Sequence, residues 1–208
     1  MSKSLRFATL SATLLFTFTL FSCSIKHDTP VEKNTKTPSD IGWMGDGGGD
    51  YLMGSDTSDK HSGKASAFIR CINPTPERFA TYMQMVKPGE FLGKKVKMTG
   101  WIKTDTVKSW AGMWCRIDGP NGTIYDFDNM QTTQRPIKGT TDWTRYEILA
   151  NVHPKSTAIA FGVLLDGVGS VRFDDFSFDI IGEADTNKVL NPGRPDYDSK
   201  MSNLSFEN

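Results

Sequence analysis

The chain has 208 residues, 24 Lys and Arg against 24 Asp and Glu, and a formal net charge of zero. That length holds one sizeable core plus tails, and the charge balance leaves no basic stripe to follow a phosphate backbone, which argues against nucleic acid as a partner. Aromatic residues make up 11% of the chain, and no long apolar segment of helical period follows the amino terminus, so an all-β domain is expected in place of a helical one.

Residues 1–22 read as a targeting segment, with Lys3 and Arg6 as a positive n-region and Leu14 to Leu20 as an apolar h-region. The apolar stretch is short for a membrane span. At its end Leu20-Phe21-Ser22-Cys23 resembles the lipobox of bacterial lipoproteins, which implies that Cys23 is acylated and becomes the new amino terminus; the alternative is an ordinary secretory signal with a chance cysteine. Without Lys3 and Arg6 the mature chain stays nearly neutral, so membrane attachment would be by lipid and not by a polybasic patch. The expected location is a bacterial membrane, the outer one, facing the periplasm or the cell surface. Residues 23–40 are polar and proline-containing and read as a flexible tether.

The folded body is expected over 41–182. Its first stretch, Gly42 to Tyr51, is glycine-rich but lacks the lysine and the strand-to-helix context of a phosphate-binding loop, so it reads as irregular chain with Trp43 as a core plug. Short apolar runs then alternate with turn signals at the spacing of a β-sandwich. The predicted strands are Lys64–Cys71, Arg78–Met85, Lys94–Thr104, Gly112–Asp118, Thr123–Phe127, Trp143–Val152, Thr157–Leu165 and Ser170–Ile180. Between them Asn73-Pro74-Thr75-Pro76, Lys87-Pro88-Gly89, Asp118-Gly119-Pro120-Asn121-Gly122, His153-Pro154 and Asp166-Gly167 favour reversal, through proline's fixed φ or the tolerance of Gly and Asn for positive φ. Ala158 to Leu165 is apolar throughout, which places it centrally in its sheet. Eight such strands fit an antiparallel β-sandwich of the jelly-roll type. After 183 the chain turns polar again and reads as an extension, with Leu204 and Phe206 able to dock back.

The clearest functional hint lies in Gly112–Asp118. Met113, Cys115 and Ile117 alternate with Trp114, Arg116 and Asp118, so one face goes to the core and the other carries an indole beside a guanidinium. Such a pair stacks on a flat or sugar-like ligand and bonds its polar edge. The insert Tyr125 to Thr140 adds Asp128, Asn129, Gln131 and Arg135, a set suited to sugar hydroxyls, with Trp101, Trp110 or Trp114 offering an apolar face. For each tryptophan taken singly, core or rim packing is the competing reading.

Gly100-Trp101-Ile102-Lys103-Thr104, Trp110-Ala111-Gly112-Met113-Trp114, Arg116-Ile117-Asp118-Gly119, Phe127-Asp128-Asn129-Met130, Asp142-Trp143 and Val171-Arg172-Phe173-Asp174-Asp175-Phe176-Ser177-Phe178 resemble the galactose-binding-like, carbohydrate-binding-module-like jelly-roll domains that bacteria append to AraC-type regulators and carry in some secreted proteins. The resemblance runs from about Gly42 to Ile181 and implies a jelly roll with a carbohydrate ligand. A transcriptional role is not carried over, because the export signal sends the chain out of the cytoplasm. Sandwiches of this kind often hold a structural calcium ion by the last strand; here Asp175, next to Asp174, would join Asp56 and Asp59, while the competing reading is turn capping and solvation. Cys71 and Cys115 permit one disulfide in an exported protein, and the sequence leaves open whether they pair or sit as small buried residues.

No Gly-x-Ser-x-Gly elbow or His-Glu-x-x-His pattern occurs, and His27, His61 and His153 lack zinc-ligand spacing. Asp118, Asp126, Asp128 and Asp142 would suit a glycosidic bond only if two of them flanked it, and enrichment of aspartate in turns explains them more simply. The expectation is therefore a non-catalytic, lipid-anchored carbohydrate-binding module. A cell-envelope assembly protein using the same aromatic face is the alternative, and a glycan hydrolase a weaker one.

Overall fold

Residues 94–118, expected as two strands, form one, β5 (Lys94–Asp118), and the rest of the fold is hung on it. The computed structural model describes residues 42–191. Before β5 come β1 (Met44–Asp46), β2 (Tyr51–Asp56), β3 (Ser66–Cys71) and β4 (Phe79–Val86); after it come β6 (Ile124–Asp128), β7 (Ile137–Asn151), β8 (Ala158–Asp166) and β9 (Ser170–Glu183). Every pairing is antiparallel. The first half of β5 lies between β9 and β7, with β3 and β2 continuing beyond β9; the second half lies between β8 and β6, with β4 and β1 beyond β8. The result is a jelly-roll β-sandwich whose two layers share one strand.

Side chains on a strand alternate with period two, so a strand serving two layers has to change which parity points inward. In the first half of β5 the inward set is Val96, Met98 and Ile102; in the second it is Ala111, Met113, Cys115 and Ile117, each at most 1% exposed. The change from even to odd falls between Thr104 and Val107, where the ladder to β7 shifts register and Thr106 takes φ 52°. A non-glycine residue at positive φ is a local cost, accepted here because it turns the corner.

Between the layers, Tyr82 on β4 meets Phe173 on β9 edge-on at 5.7 Å, and Phe161 on β8 meets Phe178 on β9 at 4.9 Å. Trp43 packs on Tyr82, Phe161, Phe173 and Phe176, in keeping with its expected role as a core plug. The stretch around it is not wholly irregular: β1 and the start of β2 arise within the glycine-rich run. Gly47 is required there by close approach, since a Cβ would stand 2.8 Å from both Ala80 Cβ and Met53 Cε.

Other expectations need adjustment. β7 begins at Ile137, before the predicted Trp143. β8 does sit centrally, between β4 and β5. The chain does not leave the sandwich at Gly182: Ala184 N–H donates to Gly93 O at 2.9 Å, and Asn191 forms a bridge with Ile124 beside β6. Cys71 and Cys115 are both free thiols. Cys71 ends β3 in one layer and Cys115 is buried mid-strand in the other, so the disulfide left open by the sequence does not form. Cys23, the targeting segment, the tether, Leu204 and Phe206 lie outside the described residues. Among the described residues no helix is long and apolar enough to cross a membrane.

Candidate functional site

Cross-strand partners share a face, so the outward residues of the second layer follow from the register. On β5 they are Trp110, Gly112, Trp114, Arg116 and Asp118, opposite Asp166, Leu164, Gly162, Ala160 and Ala158 of β8. On β4 they are Phe79, Thr81, Met83 and Met85, opposite Asp166, Leu164, Gly162 and Ala160. Trp114 and Arg116 thus stand on the outward face, as the alternation predicts.

They do not form an open platform. Trp114 is only 7% exposed, and its Nε1–H donates to Thr81 Oγ1 at 2.8 Å, a group two strands away on β4. Gly162 of β8, opposite Trp114, is required by the close approach of β4, since a Cβ there would lie 2.3 Å from Tyr82 O and 2.8 Å from Met83 Cα. The ring is a strut tying β5 to β4, and its one polar atom is spent. Arg116 is likewise engaged, its Nε and Nη2 donating to the two oxygens of Asp118 at 2.7 and 3.0 Å. Trp110 is also 7% exposed.

What is open lies at the end of this face. A cleft of about 590 Å³ is lined by Asp46, Pro76, Glu77, Arg78, Phe79, Asp166 and Gly167. Phe79 opens β4, 55% exposed as a residue and directly opposite Asp166 at the end of β8, while the edge strand β1 brings Asp46 opposite Thr81. The turn that carries Glu77 and Arg78 is pinned from below. Asp50 accepts bonds from Asn73 Nδ2 at 2.6 Å and from Glu77 N–H at 3.3 Å, and the Tyr51 hydroxyl donates to Arg78 O at 2.7 Å. Burial pushes the Tyr51 hydroxyl up to about 12, so it stays a neutral donor through the physiological range. Ser109 Oγ–H donates to Asp166 Oδ2 and fixes that carboxylate at the cleft wall. A phenyl ring beside carboxylates and a guanidinium suits a ligand with an apolar face and a hydroxyl-bearing rim.

The Tyr125–Thr140 residues chosen for sugar contact are mostly turned to holding their own loop. Asp128 accepts from Met130 N–H at 2.7 Å and from Arg135 Nη2 at 2.5 Å, Asn129 Oδ1 accepts from Thr132 N–H, and Arg135 Nη1 donates to Glu147 O. Gln131 is exposed. Asp118, Asp126 and Asp128 lie together where β5 pairs β6 but are engaged by Arg116, Lys188 and Arg135 respectively, while Asp142 stands apart by Lys103 in the first layer.

On the outward face of the first layer, the carboxylates proposed for calcium have other partners. Asp56 accepts from Arg172 Nε at 2.7 Å and from Ser58, Asp59 pairs with Lys103 and accepts from Trp143 Nε1, and Asp175 bonds His61 and Ser62. Among the described residues no group of three His, Cys, Asp or Glu side chains is placed to hold a metal ion. Burial would raise the Asp56 carboxyl, but the bonds from Ser58 and Arg172 outweigh it and hold it at about 2. Trp101, also proposed as a sugar platform, is stacked under His61 with ring centroids 3.8 Å apart. In the core, burial pushes the Cys115 thiol well up, leaving it protonated and unreactive.

No protein-family profile matches the chain. Over 188 residues it is 36% identical to the uncharacterized HTH-type transcriptional regulator YbfP of Bacillus subtilis (strain 168), a match covering 88% of this chain and 61% of the regulator. The chain thus spans less than two thirds of the curated relative it matches. Among the described residues the helices are three-residue 3₁₀ turns, so no helix-turn-helix is present there. In three dimensions the chain is similar to the CBM22-1 xylan-binding domain of Paenibacillus barcinonensis Xyn10C, with a TM-score of 0.52 at 14% identity over 69% of this chain and 88% of that one. It is also similar to the enzymatically active domain of bacteriophage CBA120 tailspike protein 4, with a TM-score of 0.53 at 15% identity over 67% of this chain and 19% of that one. At these identities the likeness is one of fold, and the fold is the jelly roll of carbohydrate-binding modules.

Proposed function

We propose that this chain is an exported, lipid-anchored, non-catalytic module that binds carbohydrate in the cleft between β1, β4 and β8. The observation that carries the reading is the exposed Phe79 ring standing in a 590 Å³ cleft with Asp46, Glu77, Arg78 and Asp166. A sugar ring has an apolar C–H face and a hydroxyl edge; the phenyl ring packs on the first, and the carboxylates and guanidinium bond the second. The jelly-roll fold shared with xylan-binding domains supports a polysaccharide such as xylan as the ligand class. Export and anchoring rest on the targeting segment and Cys23.

The test is titration of the protein with xylan, other neutral polysaccharides and their oligosaccharides, followed by tryptophan fluorescence, since Trp110 is the β5 residue opposite Asp166. A saturable change is expected, weakened about tenfold or more in Phe79→Ala, the loss of one anchoring aromatic contact. A flat response across the panel overturns the reading. Met44 and Met85, 51% and 48% exposed on the same face, favour the second one, a cell-envelope protein partner, which a co-purifying protein released by Met85→Asp would establish.

A further inference from the structure

The cleft gathers carboxylates that no cation among the described residues meets, beside an exposed aromatic ring. Outside it several carboxylates are claimed by cations, Asp56 by Arg172, Asp59 by Lys103, Asp118 by Arg116, Asp126 by Lys188, Asp128 by Arg135 and Glu183 by Lys94, while others such as Glu90, Asp105 and Asp179 form no ion pair among the described residues. In the cleft, Asp46 and Glu77 form no ion pair among the described residues, and Asp166 has only the hydroxyl of Ser109 on one oxygen. Arg78 is the single lining cation and makes no ion pair of its own among the described residues. Three carboxylates, one guanidinium and an open aromatic ring therefore share one concavity in a chain whose overall formal charge is zero.

That combination has a defined chemical preference. An ammonium group gains from the negative face of a phenyl ring and from carboxylate acceptors in the same site, whereas a uronic-acid carboxylate meets like charges. Carboxylates left without a cationic partner also need not break an internal pair to receive one, so the ligand's charge is met without a competing loss. Resting on the carbohydrate reading of the cleft, we infer that its ligand class is an amine-bearing glycan, a polymer containing de-N-acetylated hexosamine, and that Asp46 and Glu77 set this selectivity.

The experiment compares three oligomer classes of equal length on the full chain by calorimetric titration at pH 6 and low salt: glucosamine oligomers, their N-acetylated counterparts and galacturonic-acid oligomers. The expected order is amine first, by about tenfold over the acetylated form, with the uronic acid weakest, and the amine advantage shrinking as salt is raised to about 0.5 M. In the Asp46→Asn/Glu77→Gln double variant, whose altered groups are exposed and internally unpaired, the amine-to-acetyl ratio falls toward one. Equal affinity for amine and acetylated oligomers, or tighter uronic-acid binding, overturns the charge selectivity while leaving a carbohydrate cleft in place. An amine preference that persists unchanged in the double variant overturns the roles of Asp46 and Glu77. No binding by any of the three, with xylan also inert, overturns the carbohydrate reading itself.

Discussion

On the outward face of the first layer, Asp56, Arg172, Asp59, Lys103 and Asp142 run into one another as a chain of ion pairs, and His61 lies flat on Trp101 above it. On the outward face of the second, the strands carry Met83, Met85, Ala160, Gly162 and a recumbent Trp114, and polar groups lie at its two ends, the paired Arg116 and Asp118 at one and the cleft beside Phe79 at the other. Both faces hold tryptophan and aspartate, yet in the first Asp56, Asp59 and Asp142 and the indole of Trp143 are bound internally. A face satisfied in this way offers a ligand little that water and the protein do not already supply. The second face keeps its strut internal and leaves the Phe79 ring, Asp46 and Glu77 at the rim without an internal cation among the described residues, which is why we propose the site there.

The comparison can be broken most directly at the strut. Trp114→Ala is expected to cost about 3–5 kcal/mol of stability, the usual loss for a buried large aromatic, read from urea denaturation; a loss typical of a surface residue would mean that the indole is a rim group after all. Next in size is Arg172→Ala, which strands an Asp56 side chain only 1% exposed without its cation. About 3 kcal/mol should be lost, as when one partner of a buried pair is removed, with Asp56→Asn/Arg172→Ala recovering part of it. The same carboxyl gives a pH signature. Its folded value of about 2 lies below the ordinary 3.8 of an aspartate, so its contribution is complete above pH ~4 and is lost as pH falls through the interval from about 4 to about 2, amounting to about 2 kcal/mol. Asp56→Asn should lack that acid-side slope. Smallest is Arg116→Ala, where a partly exposed pair on the second layer is worth up to about 1 kcal/mol; a larger loss would show that this face, too, depends on its charges.

Much of the fold is legible in the chain because period-two patterning survives wherever one face is buried. Met113, Cys115 and Ile117 point inward as read, and the apolar run Ala158 to Leu165 takes the central position its lack of alternation implies. The joining of Lys94–Thr104 to Gly112–Asp118 is not legible, because the corner at Thr106 needs no glycine or proline to mark it. β1 is hidden for the opposite reason: its glycines look like loop, though Gly47 is there to let β4 and Met53 close in. The site is harder still. Alternation identifies the face of Trp114 but not that its indole spans β8 to bond Thr81 on β4. Asp46, Glu77, Arg78, Phe79 and Asp166 span 120 residues of sequence and meet only through the β1–β4–β8 register; in sequence Pro76 and Asp166-Gly167 signal turns and nothing more.

The shared strand also orders events in time. Met98 is flanked by Ile148 and Phe178, and Trp114 by Gly162, so every neighbour of β5 is synthesised after it, some of them 80 residues later. Neither layer has its middle until β8 and β9 exist, and such long-range pairing makes closure slow and late. A ribosome-bound or truncated chain ending before Ser170 therefore holds β5 with one flank of its first half bare, a sticky intermediate that only the last strand retires.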